Sequence, residues 1–115
     1  LPVIAGEGAD ENVTEALAIF RAARPIQHRI RGLVRMGERR WDVVLDRDQR
    51  IMLPESDPVS ALERIIALDQ AEDMLGRDIA AVDMRNEQRP TIRLLGGQVA
   101  TMDISNEIQT RVPGQ

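Results

Sequence analysis

His28 is the single histidine of this 115-residue chain, and there is no cysteine. A metal held by nitrogen or sulfur ligands needs several such residues at short spacing, and neither His-x-His nor His-x-x-x-His occurs. His28 therefore reads as structural or solvent-exposed. Carboxylates are the next candidates. Convergence of two of Asp42, Asp46, Asp48 and Asp83 in a deep pocket would make a small carboxylate-dependent hydrolase, one group serving as acid and the other as base. No pair stands out by its surroundings. Asp46-Arg47-Asp48 has the opening of a calcium loop but lacks its glycine and its distal glutamate, so a turn is the simpler reading. Ser56, Ser60 and Ser105 lie outside any Gly-x-Ser-x-Gly context. Gly6-Glu7-Gly8 lacks the third glycine of a phosphate-binding loop, and no clear strand precedes it. No catalytic residue, metal or cofactor is expected.

What remains is arginine. All 15 basic residues are Arg and none is Lys. A GC-rich genome explains the bias; in chemical terms, guanidinium forks recognise carboxylates in a bidentate manner. A net charge of −4 and a pI of about 5.0 argue against nucleic-acid binding through a broad basic field. The hydrophobic fraction of 43% suits one domain with a small core. That core must be aliphatic, because Phe20 and Trp41 are the only aromatic residues. The absence of Cys does not separate cytoplasm from periplasm. No apolar run approaches the roughly 20 residues of a membrane helix, and no signal peptide is visible. The chain starts at Leu1-Pro2-Val3-Ile4 without Met and is expected to be a fragment of a longer protein.

The elements that would position these groups can be read from periodicity. Asn12 with Glu15 forms the pattern of a capping box. Val13, Ala16, Leu17, Phe20 and Ala23 then repeat at helical spacing until Arg24-Pro25 ends the helix. Ile30 to Met36 alternates, with Ile30, Gly32, Val34 and Met36 expected on the core side and an arginine-rich face outside. Arg40 to Asp46 places Trp41, Val43 and Leu45 inward, and Ile51 and Leu53 continue a meander that Pro54 stops. Asp57-Pro58 starts a second helix with Val59, Leu62, Ile65, Ile66 and Leu68 on its buried face, and Gly76 is its expected terminator. Ile79 to Leu94 reads as two strands joined by a polar turn. Pro90 places the second of them at a sheet edge, where unpaired backbone can accept another chain. Gly96-Gly97 breaks the pattern, Val99 to Ile104 has room for one more short strand, and Asn106 to Gln115 reads as a frayed tail. The fold class is α+β: a largely antiparallel mixed sheet with two or three helices packed on one face. The domain covers residues 1–95, followed by a tail, 96–115.

The ordered set Arg39-Arg40-Trp41-Asp42-Val43-Val44-Leu45, Ile51-Met52-Leu53-Pro54, the helix Val59 to Leu68, and Ile79-Ala80-Ala81-Val82-Asp83-Met84-Arg85 resembles the periplasmic β domain of the FtsQ/DivIB family, alphaproteobacterial type. The resemblance runs from about Leu1 to Leu94. It implies a bacterial inner-membrane protein of the divisome, anchored by one helix and carrying a POTRA domain before the β domain, both outside this chain. It implies no enzymatic activity. The implied role is a scaffold for septum assembly that binds FtsB and FtsL, and through them links to FtsW and FtsI, on the periplasmic side of the membrane.

In that family the final strand of the β domain pairs with a segment of FtsB. Carried over, this gives a partner-binding set of Arg39, Arg85, Asn86, Gln88, Arg89, Pro90, Thr91, Ile92, Arg93 and Leu94. Strand addition at the 90–94 edge would supply affinity, and Arg39, Arg85 and Arg93 would steer acidic partner groups. Asn86, Gln88 and Arg89 depart from the small and aromatic residues the family has near this turn. Two other readings stand beside this one: a POTRA-like adaptor of a secretion or outer-membrane assembly system, and the carboxylate-dependent hydrolase above.

Overall fold

The computed structural model describes residues 2–86, 88–97, 99–102 and 108–111. Among the described residues eight strands form one sheet: β1 (Val3–Ala5), β2 (Ile30–Met36), β3 (Arg40–Leu45), β4 (Arg50–Met52), β5 (Ile79–Asp83), β6 (Thr91–Leu94), β7 (Val99–Met102) and β8 (Ile108–Arg111). They lie side by side in sequence order. Five of the seven pairings are antiparallel; β1–β2 and β4–β5 are parallel, each spanned by a helix, α1 (Val13–Ala22) and α2 (Pro58–Glu72). The helices touch each other, and their buried residues join the inward strand residues in one apolar cluster, so both cover the same face. This is the α+β, largely antiparallel mixed sheet expected from the sequence.

The core row runs across the sheet through Leu33, Val43, Ile51, Val82 and Ile92, all fully buried and in register. Periodicity misjudged β2. Leu33, not Val34 and Met36, faces the core, while Val34 and Met36 are only half-buried. The cause is a bulge: Ile30 pairs with Leu45 and Gly32 with Val44, leaving Arg31 as an extra residue. One extra residue flips the parity of everything beyond it, so Ile30 and Leu33 both reach the core. β5 has the same device at Ala80, which buries Ile79 as well as Val82.

α1 is also turned from its expected orientation. Ala16, Ile19 and Ala23 are fully buried, whereas Val13 and Leu17 are 41% and 43% exposed. The capping box is not formed. The Asn12 side chain donates instead to the Gly8 carbonyl, 2.6 Å, and Glu15 is drawn to the sheet. There Glu15 Oε1 accepts from Trp41 Nε1 at 2.7 Å and from Arg35 at 2.8 Å. Arg35, expected outside, lies on the core side with its guanidinium 5.2 Å from the centre of the Trp41 ring. Gly6 serves close approach rather than phosphate binding, because a Cβ there would collide with the Arg35 backbone. α2 ends at Asp73 in the left-handed region, ahead of Gly76.

Candidate functional site

The registers place several loops at one end of the sheet. β3 starts there, β4 and β5 end there, and β6 starts there, since Asp42 pairs with Met52, Met52 with Asp83, and Asp83 with Thr91. The β2–β3 turn with Arg39, the 53–57 segment and the 84–90 loop therefore share this end. Adjacent strands are about 4.8 Å apart, so the start of β3 and the start of β6 are separated by about 15 Å.

The helix-free face at this end carries one arginine–aspartate cluster. Asp42 is 1% exposed although it faces away from the helices. Two guanidiniums cover it: Arg40 bonds Oδ1, and Arg50 bonds Oδ2 at 2.9 Å. Burying a carboxylate is tolerable only when its oxygens are satisfied in this way. One strand beyond Met52, Asp83 takes a two-pronged grip from Arg85, with Nε 3.0 Å from Oδ1 and an outer nitrogen 2.7 Å from Oδ2. The Arg85 backbone N–H donates to Oδ1 as well. The Arg85 hydrogen bond holds the Asp83 carboxyl below its ordinary pKa, and the Arg40 charge adds to this. Asp83 raises the Arg85 pKa in return, with Asp42 contributing. The two ion pairs thus act on each other across three strands.

The 84–90 loop is fixed by its own chemistry. Met84 N–H donates to the Met52 carbonyl at 2.8 Å, Asn86 Oδ1 accepts from Gln88 N–H at 3.1 Å, and Arg89 N–H donates to the Asn86 carbonyl at 3.0 Å. Two open depressions of about 400 and about 450 Å³ flank it. Asp83, Arg85, Asn86, Arg89 and Thr91 line the first; Arg85, Asn86 and Gln88 face Pro54, Glu55 and Ser56 across the second.

Of the residues expected to meet a partner, Arg39, Arg85, Asn86, Gln88, Arg89 and Arg93 are exposed. Thr91 and Leu94 are half-buried, and Pro90 and Ile92 are buried. One expectation is corrected. The strand at residues 90–94 is not an edge: β6 pairs with β5 on one side and with β7 on the other. The tail supplies the cover: residues 99–102, within the expected short strand, form β7, and residues 108–111, within the stretch expected to fray, form β8. Among the described residues, the outer edge on this side belongs to β8. Residues 87, 98, 103–107 and 112–115, which include part of the expected turn and of the expected strand to Ile104, lie outside the described residues. Sequence reading missed Arg40 and Arg50 as partners of Asp42; the shared outward parity of Arg40 and Asp42 on β3 was the available signal.

The four aspartates of the hydrolase reading do not converge. Asp46 and Asp48 sit in the β3–β4 turn at the opposite end of the sheet, where Asp46 pairs with Arg29 at 2.9 Å. Asp42 and Asp83 are locked to arginines. Among the described residues no cluster of three metal-ligating side chains occurs, and no helix is long and apolar enough to cross a membrane. The chemistry on offer is charge recognition by guanidinium groups and backbone pairing at a sheet edge.

Comparison with known proteins adds a family. The model of the C-terminal region of cell division protein FtsQ/DivIB matches residues 1–85. A cell division protein FtsQ of Cereibacter sphaeroides is 67% identical over 94 residues, which is 82% of this chain and 30% of that protein. One of Roseobacter litoralis is 62% identical over 94 residues, covering 82% of this chain and 32% of the relative. One of a Jannaschia species is 49% identical over 110 residues, covering 96% of this chain and 34% of the relative. The chain spans about a third of the length of these curated relatives.

Proposed function

The chain belongs to the FtsQ/DivIB family of cell division proteins, and from that premise we propose that it is a non-catalytic docking domain of the divisome. It works on the periplasmic side of the inner membrane, as part of a protein anchored by a single membrane helix outside this chain. It binds FtsB and FtsL and so ties them, with FtsW and FtsI behind them, into septum assembly. The family membership favours this over the secretion-adaptor reading. The binding mode is main-chain strand addition on the C-terminal side of the sheet. Arg39, Arg85, Arg89 and Arg93 select acidic groups, and Asn86 and Gln88 offer hydrogen bonds. Ile92 and Pro90 support this surface from within.

The observation that supports this reading best is the sheet itself. Its strands run in order toward a C-terminal side whose last strand has one neighbour among the described residues, with an arginine-bearing loop at the head of β6. Backbone pairing then supplies affinity that tolerates side-chain change, and the arginines supply choice of partner. The test is a titration with the joined periplasmic segments of FtsB and FtsL, followed by backbone hydrogen exchange. Binding with altered exchange confined to residues 84–111 is expected. Absence of binding, or changes confined to β1 and α1, would overturn the proposal. A proline at Ile92 is unsuitable as a probe, because Ile92 is fully buried and paired on both sides.

A further inference from the structure

β2 carries a buried arginine where its inward face calls for an apolar residue. Arg35 pairs with Trp41 across β2 and β3 on the helix-covered side, and its side chain is 9% exposed. One outer nitrogen of the guanidinium donates to Glu15 Oε1, the oxygen that also accepts from Trp41 Nε1. Arg35 Nε is buried and has no acceptor among the described residues. An unpartnered buried donor is a penalty that Met or Leu at this position would avoid. Stability alone therefore does not account for an arginine here.

The remaining nitrogen reaches the β2–β3 turn, where it donates to the Glu38 carbonyl at 3.0 Å. This turn needs holding. Gly37 and Glu38 both stand in the left-handed region, at φ +60° and +61°, and Arg39 N–H closes the turn onto the Met36 carbonyl at 3.1 Å. Glycine adopts that conformation freely; glutamate does so rarely. The Glu38 carbonyl belongs to the planar peptide unit that leads into Arg39, so its hydrogen bond fixes the plane from which Arg39 departs. Arg39 itself is exposed and forms no ion pair among the described residues. Contacts thus run without a break from Glu15 on α1, through Arg35, to the backbone of Arg39.

We propose that Arg35 is a positioning residue for partner recognition: anchored by Glu15, it holds the Glu38–Arg39 peptide so that the Arg39 guanidinium stands ready for a carboxylate of the partner. The turn is ordered before the partner arrives, so its ordering does not weaken the complex. This deepens the docking function proposed above and rests on it. It adds two residues, Glu15 and Arg35, that act on recognition through Arg39 and the turn that carries it.

The test separates recognition from stability in the full chain. Arg35→Met keeps the bulk and removes the guanidinium. Urea unfolding, followed by Trp41 fluorescence, is expected to show a midpoint equal to or above that of the unaltered chain, because an apolar residue replaces a buried charge. Titration with the joined periplasmic segments of FtsB and FtsL is expected to show about fivefold weaker binding. Arg39→Ala weakens binding as well, and adding Arg35→Met to it has no further effect, since the one residue acts through the other. Glu15→Gln keeps an acceptor for Trp41 and loosens only the charged bond to Arg35. Its loss of affinity is smaller and is likewise absent from the Arg39→Ala chain, which keeps the test decisive should Arg35→Met fail to fold. Unchanged affinity of both variants, or losses that add to that of Arg39→Ala, would overturn the inference and leave Arg35 a packing residue. Absence of binding by the unaltered chain would instead overturn the docking function itself.

Discussion

Asp42 is the residue on which the helix-free face depends. Its carboxylate is buried between Arg40 and Arg50, and its loss leaves two guanidiniums facing each other without their shared anion. Asp42→Ala is expected to cost about 1–3 kcal/mol in urea unfolding, the penalty of unpairing partly buried charged groups. Trp41, the only tryptophan, reports the transition by fluorescence. A change within 0.5 kcal/mol would mean that the pair is an ordinary surface contact. The sequence made the outward parity of Asp42 legible, but not its burial. Burial arises because Arg50 reaches diagonally from the next strand, and strand pairing is not written in local alternation. Trp41 was legible as core. Its indole N–H needs an acceptor, and that this is Glu15, from a helix 26 residues earlier in the chain, follows only from packing.

At the level of elements, strands and helices were largely legible from α1 to β6, while β1 and the rotations of the elements were not. In α1 the periodic set Val13, Ala16, Leu17, Phe20 and Ala23 spans a face that the helix presents only in part, with Ile19 taking the deepest place. Ile19→Ala is expected to destabilise by about 2–5 kcal/mol, and Leu17→Ala by less than about 1 kcal/mol. Comparable losses in thermal or urea unfolding would refute the observed rotation. In β2 and β5 the bulges at Arg31 and Ala80 defeated alternation, since a period of two cannot register an inserted residue. β7 falls within the short strand expected at Val99 to Ile104, whereas β8 lies in the segment read as a frayed tail, and the pairing of β7 to β6 and of β8 to β7 is a tertiary matter. The expected edge at residues 90–94 was wrong for that one reason.

For the whole molecule, acid stability follows from the paired carboxylates. Arg85 lowers the pKa of Asp83; for Asp46, desolvation opposes the lowering, and the Arg29 hydrogen bond together with the charges of Arg29, Arg31 and Arg47 outweighs it. A folded-state pKa below the unfolded value stabilises the fold above the unfolded value, about 3.9 for Asp. That stabilisation disappears as pH falls through the folded value. Stability is thus expected to be flat with respect to these groups near neutrality and to decline below about pH 4. Replacing Asp83 with Asn should flatten the decline, and an unchanged slope in chemical unfolding from pH 5 to pH 2 would contradict the role of this pair. The strand order has a consequence of another kind. Among the described residues each strand pairs only with its neighbours in sequence, so the sheet can assemble in the order in which it is synthesised. β8 is made last. Between completion of β6 and arrival of β7 and β8, the growing domain offers a bare strand edge.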